Sequence, residues 1–329
     1  YCPFNRYGSH SNYYRFNDQY NLYFLGCVGQ SLLENRVGGV ELDVWETKNI
    51  DTTRGAFEIF IKGEGDPICI THLYSEFNEL GNYFADAFVD YFTVYLVNLR
   101  EAGNSCKAEE DHLLSMEETI YDLEAIREAL GFEKWSFGGH STGGMLGLKY
   151  GILAQDSLNK VIIGGAAASK RYMEHPGSMY CPKSPLNKRV LEILDILKNS
   201  TDRDERIRAS TEWSNMSLYR PENREEYFNR PSSGRTVTRR LDYYSYKELP
   251  TFNIVEQLKN IKIPVFVYCG VHDAQCPFVF SEEIHEHLGN SKLYPFQYSN
   301  HSPFVEEKEL FDEMVREFQK MEADAALKG

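Results

Sequence analysis

The residues with the clearest chemical potential are the five at 139–143, Gly-His-Ser-Thr-Gly, which have a serine at their centre. An apolar, strand-like run at 135–137 precedes them, and a helix-like run at 144–150 follows. A serine on a tight strand-to-helix turn, with small residues two positions to either side, is the pattern of a nucleophile elbow. The alternative is a Gly/Ser/Thr loop that merely turns the chain, because such short strings also occur by chance. Ser141 is therefore the candidate nucleophile.

A serine hydroxyl is a poor nucleophile unless a base accepts its proton and a third group holds that base. His301 is the candidate base, because it lies in a loop between a strand-like run at 293–296 and a helix-like run at 305–321. Open α/β sheets place their active sites at the C-terminal ends of strands. The alternative for His301 is an ordinary surface histidine at the start of a helix.

Asp273 is the candidate third group, since it follows the apolar strand-like run at 265–268. A carboxylate bound to the second imidazole nitrogen fixes the histidine tautomer and stabilises the imidazolium as it forms. The alternative is an aspartate that caps the helix after Pro277. The neighbouring His272 is predicted to be structural, because adjacent loop residues point apart, and His140 is predicted to pack beneath the elbow.

The elements that must position these residues follow from hydrophobic periodicity. Two amphipathic strands and then two short apolar strands are predicted, at 41–47, 56–61, 68–70 and 94–97. Such a sheet begins antiparallel and becomes parallel. Apolar residues at helical spacing predict a helix over 76–91, and a second helix is predicted from a capping box at Ser115 to a stop at Gly131.

Later strands alternate with helical or turn segments, which means a doubly wound α/β sheet. These strand-like runs lie at 135–137, 161–163, 265–268 and 293–296. The spacing breaks once, at the polar, Arg/Glu-rich, helix-like segment 169–260, which predicts a helical cap inserted before the penultimate core strand. The core is then predicted to comprise 41–168 and 261–325. Residues 1–40 are predicted to be an N-terminal extension that is disordered or derived from an expression tag, and a native extension is equally compatible with the sequence.

Composition narrows the class of protein. The 329 residues carry a formal net charge of −14, which argues against nucleic acid and anionic membrane surfaces as partners. No stretch approaches the roughly 20 apolar residues that cross a bilayer. The seven scattered cysteines form no CxxC pair and suggest neither a disulfide framework nor a zinc site, so a reducing, cytoplasmic compartment is expected. A soluble enzyme acting on small molecules fits best, and homodimerisation is left open.

The chain order Ser141, Asp273, His301 is that of α/β-hydrolases. The sequence resembles that superfamily over about 41–325. Besides the elbow, three segments are similar to the family's motifs, namely Arg-Glu-Ala-Gly-Asn-Ser at 100–105, Gly-Val-His-Asp-Ala-Gln-Cys-Pro at 270–277 and Asn-His-Ser-Pro-Phe at 300–304. The resemblance implies an α/β-hydrolase fold, with a mostly parallel eight-stranded sheet and helices on both faces. It also implies Ser141 as nucleophile, Asp273 as acid and His301 as base.

The resemblance further implies an oxyanion hole made of two backbone N–H groups. One follows the nucleophile, at Thr142, and the other follows a His-Gly pair, which here is His72-Leu73 and assigns Tyr74. Leucine in place of glycine is a departure, because it limits positive φ at that position. It leaves open whether Leu73 or Tyr74 provides the second N–H. His72 is predicted to orient the loop.

Three functions are compatible with this sequence. The first is hydrolysis of a small carboxylic ester or lactone through an acyl-enzyme. The second is proline iminopeptidase-like cleavage of N-terminal prolyl amides from a short peptide, although that branch usually shows His-Gly-Gly-Pro-Gly where residues 72–76 read His-Leu-Tyr-Ser-Glu. Cap carboxylates would then bind the substrate's amino group, and the candidates are Glu174, Glu192, Glu212 and Glu222.

The third function is that of a non-catalytic receptor for a small ligand on the same fold. An intact triad argues against it, because a pure binder does not need an aligned acid and base. No cofactor and no metal are expected, since the sequence has no dinucleotide fingerprint, metal-ligand spacing or phosphate loop.

Overall fold

One sheet of eight strands organises the computed structural model, which describes residues 36–37, 40–41, 44–322 and 326–327. The predicted extension at 1–40 lies almost wholly outside the described residues; only 36–37 and 40 fall within them. The strands in chain order are β1 (Arg36–Val37), β2 (Val40–Glu41), β3 (Glu46–Thr52), β4 (Gly55–Lys62), β5 (Pro67–Ile70), β6 (Ser75–Glu76), β7 (Thr93–Val97), β8 (Trp135–His140), β9 (Leu158–Gly164), β10 (Arg235–Thr236), β11 (Val265–Gly270) and β12 (Ser291–Phe296).

The strand order across the large sheet is β12-β11-β9-β8-β5-β7-β4-β3. The six strands from β12 to β7 are parallel, whereas β4 is antiparallel to both β7 and β3. The predicted change from antiparallel to parallel pairing is confirmed. The C-terminal ends of β5, β8, β9, β11 and β12 consequently meet at one edge, where a site can form.

The α-helices of the described residues are α1 (Tyr83–Asp86), α2 (Met116–Ala129), α3 (Thr142–Ala154), α4 (Asn187–Asn199), α5 (Arg203–Met216), α6 (Arg224–Tyr227), α7 (Thr238–Tyr243), α8 (Val279–His287), α9 (Pro303–Glu306) and α10 (Lys308–Lys320). Of these, α4 to α7 lie in the segment 169–260, and the others pack on the two faces of the sheet. Alternation along β11 shows the two faces, since Val267 packs in the core shared with α2, α3 and α8, whereas Phe266 packs in the core shared with α1 and α10.

The serine half of the predicted capping box at the start of α2 is confirmed, whereas the Ser115 N–H donates to the His112 carbonyl at 3.0 Å and not to the Glu118 side chain. The Ser115 hydroxyl accepts a hydrogen bond from the N–H of Glu118 at 3.1 Å, which satisfies one of the free donors of the first helical turn. The helix ends at Ala129, and Gly131 follows with a φ of +80°. A glycine in this left-handed conformation is the usual helix stop.

The helix predicted over 76–91 is mostly wrong. Only α1 is helical there, and residues 75–76 form β6 instead. Gly81 turns the chain with a φ of +69°, and the Asn82 side chain then caps α1 by accepting from the N–H of Phe84 at 3.0 Å. Phe77 and Phe88 are buried as their spacing suggests. The Gly81 turn and the Asn82 cap therefore determine the backbone conformation here, although the apolar periodicity predicts a longer helix.

Two further boundaries differ from those predicted. The strand expected at 41–47 instead spans Glu46–Thr52, and the N–H of the preceding Trp45 donates to the Glu79 carbonyl at 2.8 Å, outside the sheet. The helix expected over 305–321 is interrupted at Glu307, whose φ of −129° and ψ of 55° separate α9 from α10.

The segment 169–260, called the insertion below, lies between β9 and β11 and adds no strand to the eight-stranded sheet. It contains α4 to α7, and its short strand β10 pairs with β6 in a separate antiparallel pair. The insertion thus contacts the loop after β5 directly, although the division of the chain into core and cap stays a prediction. Within the described residues, every helix is too short or too polar to cross a bilayer.

Candidate active site

Ser141 lies on a strained turn between β8 and α3. Its φ of +57° and ψ of −123° are values that L-residues rarely adopt and that cost about 1–3 kcal/mol. The Ser141 N–H donates to the Gly164 carbonyl at 2.8 Å, and its own carbonyl accepts from the N–H groups of Gly144 and Met145 at 2.9 and 3.1 Å. These bonds hold the sharp strand-to-helix turn that the sequence predicts.

The glycines two positions to either side of Ser141 are required by close backbone contacts. A Cβ atom on Gly139 would lie 2.1 Å from the Gly143 carbonyl oxygen. A Cβ atom on Gly143 would lie 2.5 Å from the carbonyl oxygen of Thr71, which follows β5. Small residues at these positions therefore let α3 pack directly against the end of β5, and this close packing sets the position of the serine.

Replacement of Gly143 by alanine is expected to lower the free energy of unfolding by about 1–3 kcal/mol, because the added methyl group meets backbone that cannot rotate away. Urea denaturation of the purified variant measures the effect. Gly289→Ala is the control, since a Cβ atom there meets nothing within 4 Å. An unchanged denaturation midpoint for Gly143→Ala would contradict the packing argument.

Asp273 and His301 are in direct contact although 28 positions separate them in the chain. His301 Nδ1 lies 2.8 Å from Asp273 Oδ2, and the two side chains are 9% and 0% exposed. The other carboxylate oxygen, Oδ1, accepts from the N–H groups of Gln275 and Cys276 at 2.9 and 2.8 Å. One carboxylate thus both closes its own loop and orients the imidazole.

The end of β8 brings this pair next to the elbow. The ring of His140, the residue before Ser141, lies 4.6 Å from the ring of His301 between centroids. Gly165, just after β9, lies against both rings, since a Cβ atom there would lie 2.8 Å from His140 Cε1 and 3.0 Å from His301 Cε1. The loops after β8, β9, β11 and β12 therefore bring the elbow, Asp273 and His301 to one edge of the sheet.

His140 and His272, which neighbour Ser141 and Asp273 in the chain, make packing contacts with other aromatic residues. His140 Nδ1 lies 2.9 Å from the Tyr268 hydroxyl, and burial lowers the pKa of His140 well below its usual value, so the ring stays neutral. It packs beneath the turn, as the sequence predicts. His272 is exposed and stacks on Tyr219 at 4.4 Å, pointing away from the buried Asp273.

The backbone N–H groups of Thr142 and Tyr74 are the two donors that the sequence assigns to an oxyanion hole. Among the hydrogen bonds between described residues, neither group donates to a protein acceptor. Leu73 does not need the glycine-like conformation, because Glu101 and Ser141 are the non-glycine residues with positive φ in the described part of the chain. The departure from His-Gly is thus accommodated by ordinary backbone geometry.

His72 joins the two segments that contain the predicted donors. Its Nε2 lies 3.1 Å from the Thr142 hydroxyl, and its Nδ1 lies 2.8 Å from the Ser75 hydroxyl. Burial, with a smaller effect of His301, lowers the pKa of His72 to about 3, so the ring is neutral at physiological pH. The neutral imidazole joins the loop after β5 to the first turn of α3, which agrees with the predicted orienting role.

Contacts made by Glu306 and Ser217 were missed by sequence reasoning. Glu306 accepts from the N–H groups of both neighbours of His301, Asn300 at 2.9 Å and Ser302 at 3.1 Å. The Ser217 carbonyl, in the insertion, accepts from the N–H of His301 at 3.1 Å. The first contact has no capping-box signal, because Glu306 lies four residues after Ser302 and the capping box needs a spacing of three. The second contact joins distant segments and leaves no local signal.

Comparisons with known proteins agree with this fold. A family model described as the alpha/beta hydrolase fold matches residues 59–308. A solved alpha/beta fold family hydrolase from Bacillus anthracis strain Sterne is 51% identical, with a TM-score of 0.82 over 83% of this chain and 99% of that one.

Two more distant similarities are informative. A proline iminopeptidase from Heyndrickxia coagulans is 25% identical over 237 residues, which is 68% of this chain and 80% of the relative. An esterase from Exiguobacterium antarcticum is 21% identical, with a TM-score of 0.63 over 84% of this chain and all of that one, and so supports the fold alone. The family model covers well over half of the chain. The chain belongs to the α/β-hydrolase family.

Proposed function

We propose that the protein is a serine hydrolase that cleaves a small carboxylic ester or lactone through an acyl-enzyme intermediate. The observation that carries the proposal is the buried Asp273–His301 bond beside the strained turn at Ser141. A carboxylate-bound imidazole next to an elbow serine is the arrangement that activates a hydroxyl. A receptor that only bound a ligand would not need it.

The chemical steps follow from these roles. The Ser141 oxygen attacks the carbonyl carbon while His301 takes the hydroxyl proton, and Asp273 stabilises the imidazolium. The N–H groups of Tyr74 and Thr142 stabilise the negative oxygen of the tetrahedral intermediate. His301 then gives the proton to the leaving alcohol as the ester bond breaks. Water repeats the sequence on the acyl-enzyme, releasing the acid and the free serine.

Aminopeptidase activity is the second candidate, because the similarity to a proline iminopeptidase favours it. That activity needs a carboxylate for the substrate's amino group. Of the four candidates in the insertion, Glu174, Glu192 and Glu222 are exposed, and Glu212 is bound to Arg189 at 2.7 Å. Among the hydrogen bonds and ion pairs of the described residues, none joins these four side chains to the loop around His301, so we rank ester or lactone cleavage first.

We further propose that the insertion caps the crevice above Ser141, because Ser217 binds the backbone of His301 and β10 pairs with β6 beside Tyr74. The substrate would then lie between the insertion and the edge of the sheet. For the compartment we propose the cytoplasm, which fits the free thiols of the five cysteines in the described part of the chain.

A substrate panel tests the proposed function. Short-chain p-nitrophenyl esters, lactones and N-terminal prolyl amides are compared side by side at equal enzyme concentration. We expect kcat/KM for the best ester or lactone to exceed that for the best prolyl amide by at least about tenfold, equal to about 1.4 kcal/mol of transition-state stabilisation. A higher kcat/KM for the prolyl amide would reverse the ranking, and no turnover of any class would refute the proposal.

A further inference from the structure

Arg240, in α7 of the insertion, is a buried cation that takes no part in the steps proposed above. Its side chain is only 2% exposed. Nη1 donates to the Arg100 carbonyl at 3.1 Å, Nη2 donates to the Thr119 hydroxyl at 2.8 Å, and Nε donates to the Leu73 carbonyl. One guanidinium therefore joins the insertion to three separate segments of the core, and one of these is the loop after β5.

The bond to Leu73 determines the direction of the next N–H. Leu73 and Tyr74 are joined by a trans peptide bond, in which the C=O of the first residue and the N–H of the second point in opposite directions. Because the Leu73 carbonyl points towards Arg240, the Tyr74 N–H points away from it. This is the N–H that the proposed function assigns to the oxyanion hole.

Two other contacts prevent this peptide from turning. The Leu73 side chain is 1% exposed and packs in the hydrophobic core, and the Tyr74 carbonyl accepts from the N–H of Val237 at 2.8 Å. Arg240 and Val237 both belong to the insertion, so the insertion fixes the two carbonyls that flank the Tyr74 N–H.

We propose that Arg240 is a positioning residue that aims the Tyr74 N–H at the oxyanion. The inference rests on the proposed function, since it concerns the same reaction. A cation bound to the Leu73 carbonyl also polarises that peptide, which makes the Tyr74 N–H a stronger donor. Arg240 thus explains how a loop with leucine in place of glycine provides this donor.

Replacement of Arg240 is expected to lower kcat and to leave KM nearly unchanged. Loss of one oxyanion donor lowers kcat by about 10²–10³-fold in a serine hydrolase. Arg240→Met keeps the Tyr74 N–H but removes the bond that fixes the orientation of its peptide. We therefore expect kcat to fall by about 10–100-fold with KM nearly unchanged. Arg240→Lys keeps the charge, but one ammonium cannot bind three divergent acceptors, and we expect a smaller loss of the same kind.

The experiment measures kcat, KM and inhibition by an alkylboronic acid for the full-length variants. The Ser141 oxygen adds to boron and its proton passes to His301, so the tetrahedral adduct has an oxygen in the oxyanion hole. Arg239→Gln is the matched control, because Arg239 lies beside Arg240 in α7 but binds Glu101 and Asp111 at the surface. Circular dichroism and thermal unfolding establish that each variant is folded.

Boronate affinity should fall in parallel with kcat in Arg240→Met, fall less in Arg240→Lys and stay unchanged in Arg239→Gln. A folded Arg240→Met protein with wild-type kcat and boronate affinity, or with only KM raised, would overturn the proposal. If Arg240→Met does not fold, wild-type values in Arg240→Lys overturn it instead. These outcomes can be distinguished from failure of the proposed function. In that case the wild-type protein itself would show neither ester turnover nor boronate inhibition.

Discussion

Ser141→Ala is expected to lower kcat for a short-chain p-nitrophenyl ester by about 10⁴–10⁶-fold, and to abolish covalent labelling by a fluorophosphonate probe. The physical reason is that the variant has no oxygen to form the acyl-enzyme, while the oxyanion donors and the binding crevice remain. The residual rate reports what those groups contribute without the nucleophile. Steady-state kinetics and labelling of the purified protein measure the two effects.

Ser136→Ala is the matched control for this experiment. Ser136 lies in the same strand, β8, and its buried hydroxyl has no hydrogen-bond partner among the described residues. We therefore expect near wild-type turnover and labelling from the control. Fluorophosphonate labelling that persists in Ser141→Ala would show that another residue is the nucleophile.

Asp273→Asn is expected to lower kcat by about 10³–10⁴-fold with little change in stability. The Oδ1 atom of Asp273 accepts two backbone N–H bonds, from Gln275 and Cys276. An asparagine must keep its oxygen there, so its NH₂ group faces Nδ1 of His301. That nitrogen then becomes an acceptor, the proton moves to Nε2, and the imidazole cannot take a proton from Ser141.

The pH–rate profile and the unfolding curve of Asp273→Asn measure this effect, with His272→Gln as the adjacent control. His272 is exposed and stacks on Tyr219, so its replacement should leave kcat within a few-fold of wild type. Wild-type turnover in Asp273→Asn would reduce Asp273 to an ordinary turn residue that binds the two backbone N–H groups.

The sequence predicts the fold class and the central strands well, because each depends on a local pattern. The capping box at Ser115, the apolar run of β11 and the small residues around Ser141 are visible within a few positions. The same reasoning failed at 76–91, where two buried aromatic residues at helical spacing, Phe77 and Phe88, lie outside the short helix α1. Periodicity reports which residues are buried, but it does not report which backbone conformation buries them.

Contacts between distant segments lie beyond this kind of reasoning. Arg240 was one of many arginines in a polar segment, and only the folded chain places it on the carbonyl of Leu73. Glu101 is another example, since it has a φ of +77°, in the left-handed region that favours glycine. Its carboxylate accepts from the N–H of Ala108 at 2.6 Å and from Arg239, and these partners hold the unusual backbone.

The insertion is attached to the catalytic edge at two opposite places, through Ser217 at the His301 backbone and through β10 and Arg240 at the loop after β5. An exchange of this segment with that of a relative would remove support from both loops at once. We therefore expect substrate preference and turnover rate to change together when the insertion is altered. Directed evolution that diversifies the insertion should preserve Arg240, Val237 and Ser217, or select for compensating changes in the loops they hold.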